Sequence, residues 1–309
     1  MKDYQTPKII KPGDTIGVIA PASAAKRKPT KLGLEYLEKK GYKIKTSSHL
    51  NRAFKYLAAD DETRVKHLED FLMDSEIDHI ICVRGGYGLV RIIDKINWEK
   101  LKSATPKTLV GYSDITALQL SILKKLGWVT YSGPMVASEM GNDFSQFSEN
   151  WLWKVLTLSN GELNFQNPVD DPIKIFNPGK AEGNLVGGCF SLLTPLLGTE
   201  YQPDLDGVIL FLEDVGEEAY KIDKFLNYLK LHGVFDKISG LIIGKFSGTF
   251  KENDKKNFTL EELLQDIIPN INFPIVTNFA YGHVKQRFTM PIGGKFRMNT
   301  ETGEFIYYR

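Results

Sequence analysis

The feature that most constrains how this chain can fold is the alternation, through its first half, of short apolar runs with amphipathic stretches of helical period. Thr15 to Ala20 is one such run, and the amphipathic segment Lys31 to Lys40 stops at Gly41, where a helix takes a left-handed C-cap. The pattern repeats. Glu62 to Met73 predicts a helix, Ile77 to Val83 a buried strand, Thr108 to Gly111 another strand, and Ile115 to Leu126 a helix closing at Gly127. Strands separated by helices pair through crossovers, so this half predicts a largely parallel, doubly wound sheet.

At 309 residues the chain is longer than one hydrophobic core usually organises, and two units are expected. The first is an α/β domain over residues 1–158. A connection over 159–180 is marked by Pro168, Pro172 and Pro178 among asparagines and glycines with little periodicity. The second unit, 181–309, reads as strand (Gly207 to Leu212), helix (Ala219 to Leu231), strand (Gly240 to Phe246), helix (Leu260 to Ile268) and strand (Ile275 to Ala280). A β-hairpin from Phe296 to Tyr307 closes it.

Composition removes several function classes. Lysine and arginine number 39 against 38 acids and are dispersed, so no footprint for nucleic acid or an anionic membrane surface exists. Cys82 and Cys189 are too few for a disulfide framework, and each lies in an apolar stretch where a thiol behaves as a small hydrophobe, so no metal is expected on them. The start, Met1 to Lys11, lacks the basic-then-apolar pattern of a secretory leader, and no apolar run approaches the roughly 18 residues of a membrane span. A cytoplasmic location is the expectation.

Three short motifs could carry chemistry. Gly111-Tyr112-Ser113-Asp114-Ile115 sets a serine where a strand gives way to a helix, behind a glycine that permits a tight turn. Such a turn lifts the hydroxyl above the sheet edge and aims the next N–H at a developing oxyanion, as in the nucleophile elbow of hydrolases. The match is partial, because Ile115 stands where the elbow has a second glycine, and N-capping of the helix by Ser113 or Asp114 is an equally available use. Arg84-Gly85-Gly86-Tyr87-Gly88 brings bare backbone to the sheet edge where open α/β folds bind ligands. Arg91 replaces the third glycine of a dinucleotide fingerprint and no P-loop occurs, so the loop is either a plain turn or the source of an oxyanion-hole N–H. Glu213 ends an apolar run and His283 follows Ala280-Tyr281-Gly282. An acid or a histidine in such a place is often only solvated or structural. Serine, acid and histidine together, each just beyond a strand, form a catalytic set if a cleft between the units brings them together.

Taken in order, Gly13 to Ser23, Arg84 to Gly88, Gly111 to Asp114, Leu212-Glu213-Asp214 and Gly282-His283 resemble the serine LD-carboxypeptidase family, the muramoyl-tetrapeptide carboxypeptidases and their microcin C immunity relatives. The resemblance spans nearly the whole chain. It implies an N-terminal Rossmann-like domain joined to a C-terminal swivelling β/α/β domain, a homodimer, and no metal or organic cofactor. It implies Ser113 as nucleophile, His283 as base, Glu213 as the acid that holds it, and the N–H groups of Gly86 and Asp114 as the oxyanion hole. The implied reaction cleaves the amide between the diamino acid and the terminal D-alanine of a murein tetrapeptide, with Arg84 the first candidate for its carboxylate. The competing expectations are a microcin C-type immunity peptidase acting on an aminoacyl or peptidyl nucleotide, and a non-catalytic binder of cell-wall peptides.

Overall fold

The structure is a computed structural model that describes residues 1–250 and 256–309. The first half runs β1 (Thr15–Ile19), α1 (Arg27–Lys39), β2 (Lys43–Thr46), α2 (Asp61–Met73), β3 (His79–Cys82), α3 (Trp98–Leu101), β4 (Thr108–Gly111), α4 (Ile115–Leu126), β5 (Thr130–Ser132) and α5 (Gln146–Thr157). The second continues with β6 (Glu162–Asn164), β7 (Lys174–Asn177), β8 (Lys180–Cys189), α6 (Phe190–Leu193), β9 (Ile209–Val215), α7 (Ala219–Leu231), β10 (Gly240–Ser247), α8 (Leu260–Ile267), β11 (Ile275–Thr277), β12 (Met290–Ile292), β13 (Lys295–Asn299) and β14 (Glu304–Tyr308).

Local chemistry sets the helix ends. Asp60 caps α2 by accepting the Thr63 N–H at 2.8 Å, and α4 stops at Gly127, which takes φ +69°. Thr259 and Glu262 form a reciprocal capping box at the start of α8.

Two sheets result. The first has the order β12-β5-β4-β3-β1-β2, parallel except where β12 runs antiparallel to β5. The second has the order β6-β14-β13-β8-β9-β10-β11-β7, with β8 through β11 parallel and the flanking strands antiparallel. This is the mixed α/β, two-sheet architecture that the strand and helix alternation predicts.

Three features differ from the sequence reading. Residues 159–180, expected as a connection, supply β6 and β7, which pair onto opposite edges of the second sheet. Strand β12 crosses back to complete the first sheet. Strand β9 continues through Glu213 to Val215, so Glu213 lies inside the ladder rather than beyond it.

In the first sheet, chain connections diverge between β1 and β3, so the loops after these strands flank a crevice at their C-terminal ends. The glycine loop 84–88 lies there, and Ser113 follows the adjacent strand β4.

Candidate active site

Gly111 makes the turn after β4 possible, because a Cβ there would stand 2.9 Å from Ile115 Cγ2 at the start of α4. Ser113 takes φ +64°, one of three described non-glycine residues with positive φ. That conformation costs on the order of 1–3 kcal/mol and persists only where the surroundings enforce it. An N-cap residue adopts extended backbone instead, and Asp114 makes no side-chain capping bond to α4. The capping use is therefore not the one this turn serves.

The Asp114 carboxylate points the other way, accepting the Leu89 N–H at 3.0 Å. It thereby ties the turn to the glycine loop. Burial pushes this carboxyl up to about 6, against the opposing pull of the Leu89 and Gly88 N–H groups. The loop passes so close over the serine that a Cβ on Gly85 would lie 3.2 Å from Ser113 Oγ. Gly86 takes φ +111°, and a Cβ there would strike Ser23 Oγ at 2.4 Å. Ser23 itself accepts the Tyr87 N–H at 3.2 Å and donates to the Tyr56 carbonyl at 2.7 Å. Among the described residues, neither the Gly86 N–H nor the Asp114 N–H donates a hydrogen bond.

Glu213 is fully buried, and its Oε2 lies 2.8 Å from His283 Nδ1. A carboxylate only accepts, so Nδ1 carries the hydrogen, and in the neutral tautomer that this selects, Nε2 holds the lone pair. A β-bulge makes room for this contact. The register of β10 against β9 slips between Ile243 and Phe246, opposite Glu213, and Lys245 N–H donates 2.8 Å to the Tyr281 carbonyl. Gly282, at φ +128°, then crosses Glu213 so closely that a Cβ would meet Oε2 at 3.0 Å. Asp214 next door is buried and fixed by the N–H groups of Ser191 at 2.7 Å and Val215 at 2.9 Å; burial, with neighbouring Glu213, raises its carboxyl.

The two halves meet at this point. The His283 ring packs on the Tyr112 ring with centroids 4.9 Å apart. Cys189, at the end of β8 and in register with Glu213, donates its N–H to Thr116 Oγ1 in the first turn of α4 at 3.1 Å. The Tyr112–His283 contact thus brings the Glu213–His283 pair to the same junction as the Ser113 turn, which Gly86 and Asp114 flank. Arg84 is half-buried near Gly86, with no ion pair among the described residues. Three residues here carry no signal in the sequence reading: Glu139, Arg287 and the phenol of Tyr112. Tyr112 lies within the serine motif, but Glu139 and Arg287 stand in stretches without a recognisable pattern. No group of three or more His, Cys, Asp or Glu among the described residues is placed to hold a metal ion.

A strained serine at a strand-to-helix turn, with a carboxylate-bound imidazole packed against its neighbour, belongs to the hydrolytic enzymes of the α/β class. Comparison with known proteins narrows this. The LD-carboxypeptidase N-terminal domain matches residues 16–133 and the LD-carboxypeptidase C-terminal domain matches residues 182–298. A Bacillus subtilis (strain 168) protein named "Probable murein peptide carboxypeptidase" is 37% identical over 294 residues, 95% of this chain and 91% of that one. The microcin C7 self-immunity protein MccF of Escherichia coli is 27% identical, over 93% of this chain and 91% of its own. The crystal structure of muramoyltetrapeptide carboxypeptidase from Oxalobacter formigenes superposes with a TM-score of 0.83 at 27% identity, covering 95% of this chain and 98% of that one. The chain belongs to the LD-carboxypeptidase family and is a carboxypeptidase of the serine type.

Proposed function

We propose that this enzyme hydrolyses the amide between the L-centre of the diamino acid and the terminal D-alanine of murein tetrapeptides, using Ser113, His283 and Glu213. The observation that carries the site is the 2.8 Å contact between Glu213 Oε2 and His283 Nδ1, beside a serine held at φ +64°. The murein substrate is supported by the Bacillus subtilis and Oxalobacter formigenes relatives. His283 Nε2 takes the hydroxyl proton as Ser113 Oγ attacks the carbonyl carbon, and Glu213 stabilises the imidazolium that forms. The Gly86 and Asp114 N–H groups receive the oxyanion; loss of one such donor costs about 2.7–4 kcal/mol of barrier in other enzymes. The imidazolium returns its proton to the departing D-alanine nitrogen. Water, deprotonated by His283, then cleaves the ester and releases the shortened peptide. Arg84, a cation with no carboxylate partner among the described residues, binds the substrate's free carboxylate. The reaction is assigned to the cytoplasm, in recycling of cell-wall peptides, and to a homodimer.

A second reading keeps the chemistry and changes the substrate to an aminoacyl or peptidyl nucleotide. It is favoured by the exposed pair Tyr56 and Tyr87, whose rings lie 5.7 Å apart beside Gly86 and offer a base a stacking surface.

The test is D-alanine release from a tetrapeptide, followed by mass spectrometry, for wild type, Ser113→Ala and Arg84→Ala. Expected are release by wild type, loss with Ser113→Ala, and a raised KM with Arg84→Ala. No release by wild type removes the murein assignment and brings an aminoacyl sulfamoyl adenylate forward as substrate. Equal release by wild type and Ser113→Ala removes the nucleophile.

A further inference from the structure

Ser113 and Tyr112 belong to the first sheet's strand ends, whereas Glu213 and His283 belong to the second, so the geometry of the set depends on what fixes one half to the other. A buried polar cluster lies at that junction. Arg287, 4% exposed, stands between β11 and β12, and Glu139, 8% exposed, in the π-helical turn Val136–Met140 after β5. The Arg287 guanidinium pairs with Glu139 Oε1, and its Nη1 donates to the Gly282 carbonyl at 3.0 Å. Its central carbon lies 4.0 Å from the centre of the Tyr112 ring. The Tyr112 hydroxyl donates to the same Glu139 Oε1 at 2.8 Å, while Glu139 Oε2 accepts the Met135 N–H at 2.8 Å. Arg287 is anchored in turn through its backbone N–H, which donates 2.9 Å to Ser148 Oγ.

We propose that Arg287, Glu139 and Tyr112 form a positioning unit that fixes the His283 imidazole relative to Ser113, an inference that rests on the serine, histidine and glutamate roles given above. Glu213 holds one ring nitrogen, which leaves the imidazole free to swing about that contact. The unit removes this freedom in two ways. Tyr112 lies against the ring, and Arg287 clamps the carbonyl of the residue that leads into His283. A buried ion pair adds little net stability over apolar residues of the same volume; what it supplies here is direction, since each guanidinium nitrogen in use has one partner at a fixed angle. All three residues lie beneath the crevice and almost wholly buried, so their effect falls on the rate of the chemical step and not on substrate affinity.

The test compares Arg287→Met, and the double variant Glu139→Gln with Arg287→Met, in the wild-type and His283→Ala backgrounds, with Ser113→Ala as reference and folding checked by circular dichroism. The double variant leaves no lone buried charge and serves where the single variant does not fold. In the wild-type background kcat falls by about 10²-fold, the scale of a displacement near 1 Å in a catalytic group. KM stays within about threefold. In the His283→Ala background the same substitutions change the residual rate by less than about threefold, because the group they position is gone. An equal factor in both backgrounds, or a raised KM at constant kcat, overturns the positioning role while leaving the serine mechanism standing. Undiminished turnover by Ser113→Ala overturns the mechanism itself, and the inference with it.

Discussion

Asp114 is 1% exposed and directly follows the candidate nucleophile, so its charge state acts on the turn and on the glycine loop together. Its pKa rises from 3.8 in the unfolded chain to about 6 in the folded one. Between those values the folded state binds the extra proton, so stability falls as pH rises through the window. The cost is absent below the lower value and complete above the upper, where it reaches about 3 kcal/mol at 1.36 kcal/mol per unit. Asp114→Asn removes the titration and keeps an oxygen able to accept the Leu89 N–H. Urea unfolding at pH 4 and pH 7 therefore shows the variant gaining on wild type by about 2.4 kcal/mol across that interval, the remainder having been lost already below pH 4. A difference that is the same at both pH values contradicts a raised carboxyl at this position.

Helix α4 illustrates how an element carries information from one sheet to the other. Its first nine residues, Ile115 to Leu123, are all buried, the polar Gln119 among them, and Thr116 in its first turn accepts the Cys189 N–H from the end of β8. Thr116→Val conserves shape and orphans that N–H, so the variant loses about 1–3 kcal/mol, measured by urea denaturation. A loss within about 0.5 kcal/mol, the range of neutral surface changes, means another acceptor reaches Cys189. The same element marks what was legible beforehand. Gly111, Ser113 and Gly127 announce the turn, the helix and its end, and the ends of α4 and α7 follow from local patterning. Strand β8 does not announce itself. Gly183, Gly187 and Gly188 interrupt its apolar pattern because backbone or side chains of neighbours lie where their Cβ atoms would be: a Cβ on Gly187 would come within 1.8 Å of Phe211 O, and one on Gly188 within 2.6 Å of Thr116 Cγ2. Ser113, Glu213 and His283 were recognisable because each borders a strand-like run. Glu139 and Arg287 were not, since their significance lies in partners brought from 148 residues away in the chain.

At the scale of the whole molecule the two sheets share chain in both directions. Strand β12 pairs Met290 with Ser132 and Ile292 with Thr130, covering the edge of β5, whose three residues are all buried. From the other end, the Lys2 N–H donates to Asn184 Oδ1 at 2.8 Å, and Asn184 Nδ2 returns a bond to the Lys2 carbonyl at 3.0 Å. A sheet whose edge strand comes from the opposite half cannot lose that half without exposing unpaired backbone and apolar surface. Residues 1–158 expressed alone therefore lack β12 and the Arg287 side of the buried cluster, and are expected to show no cooperative unfolding transition. The full chain is expected to unfold in one calorimetric transition, with calorimetric and van't Hoff enthalpies in agreement. Two resolved transitions, or a cooperatively folded 1–158 fragment, would mean that each sheet forms its own stable unit. In that case the junction holding His283 over Tyr112 would be a docking contact between finished domains and not a product of their joint folding.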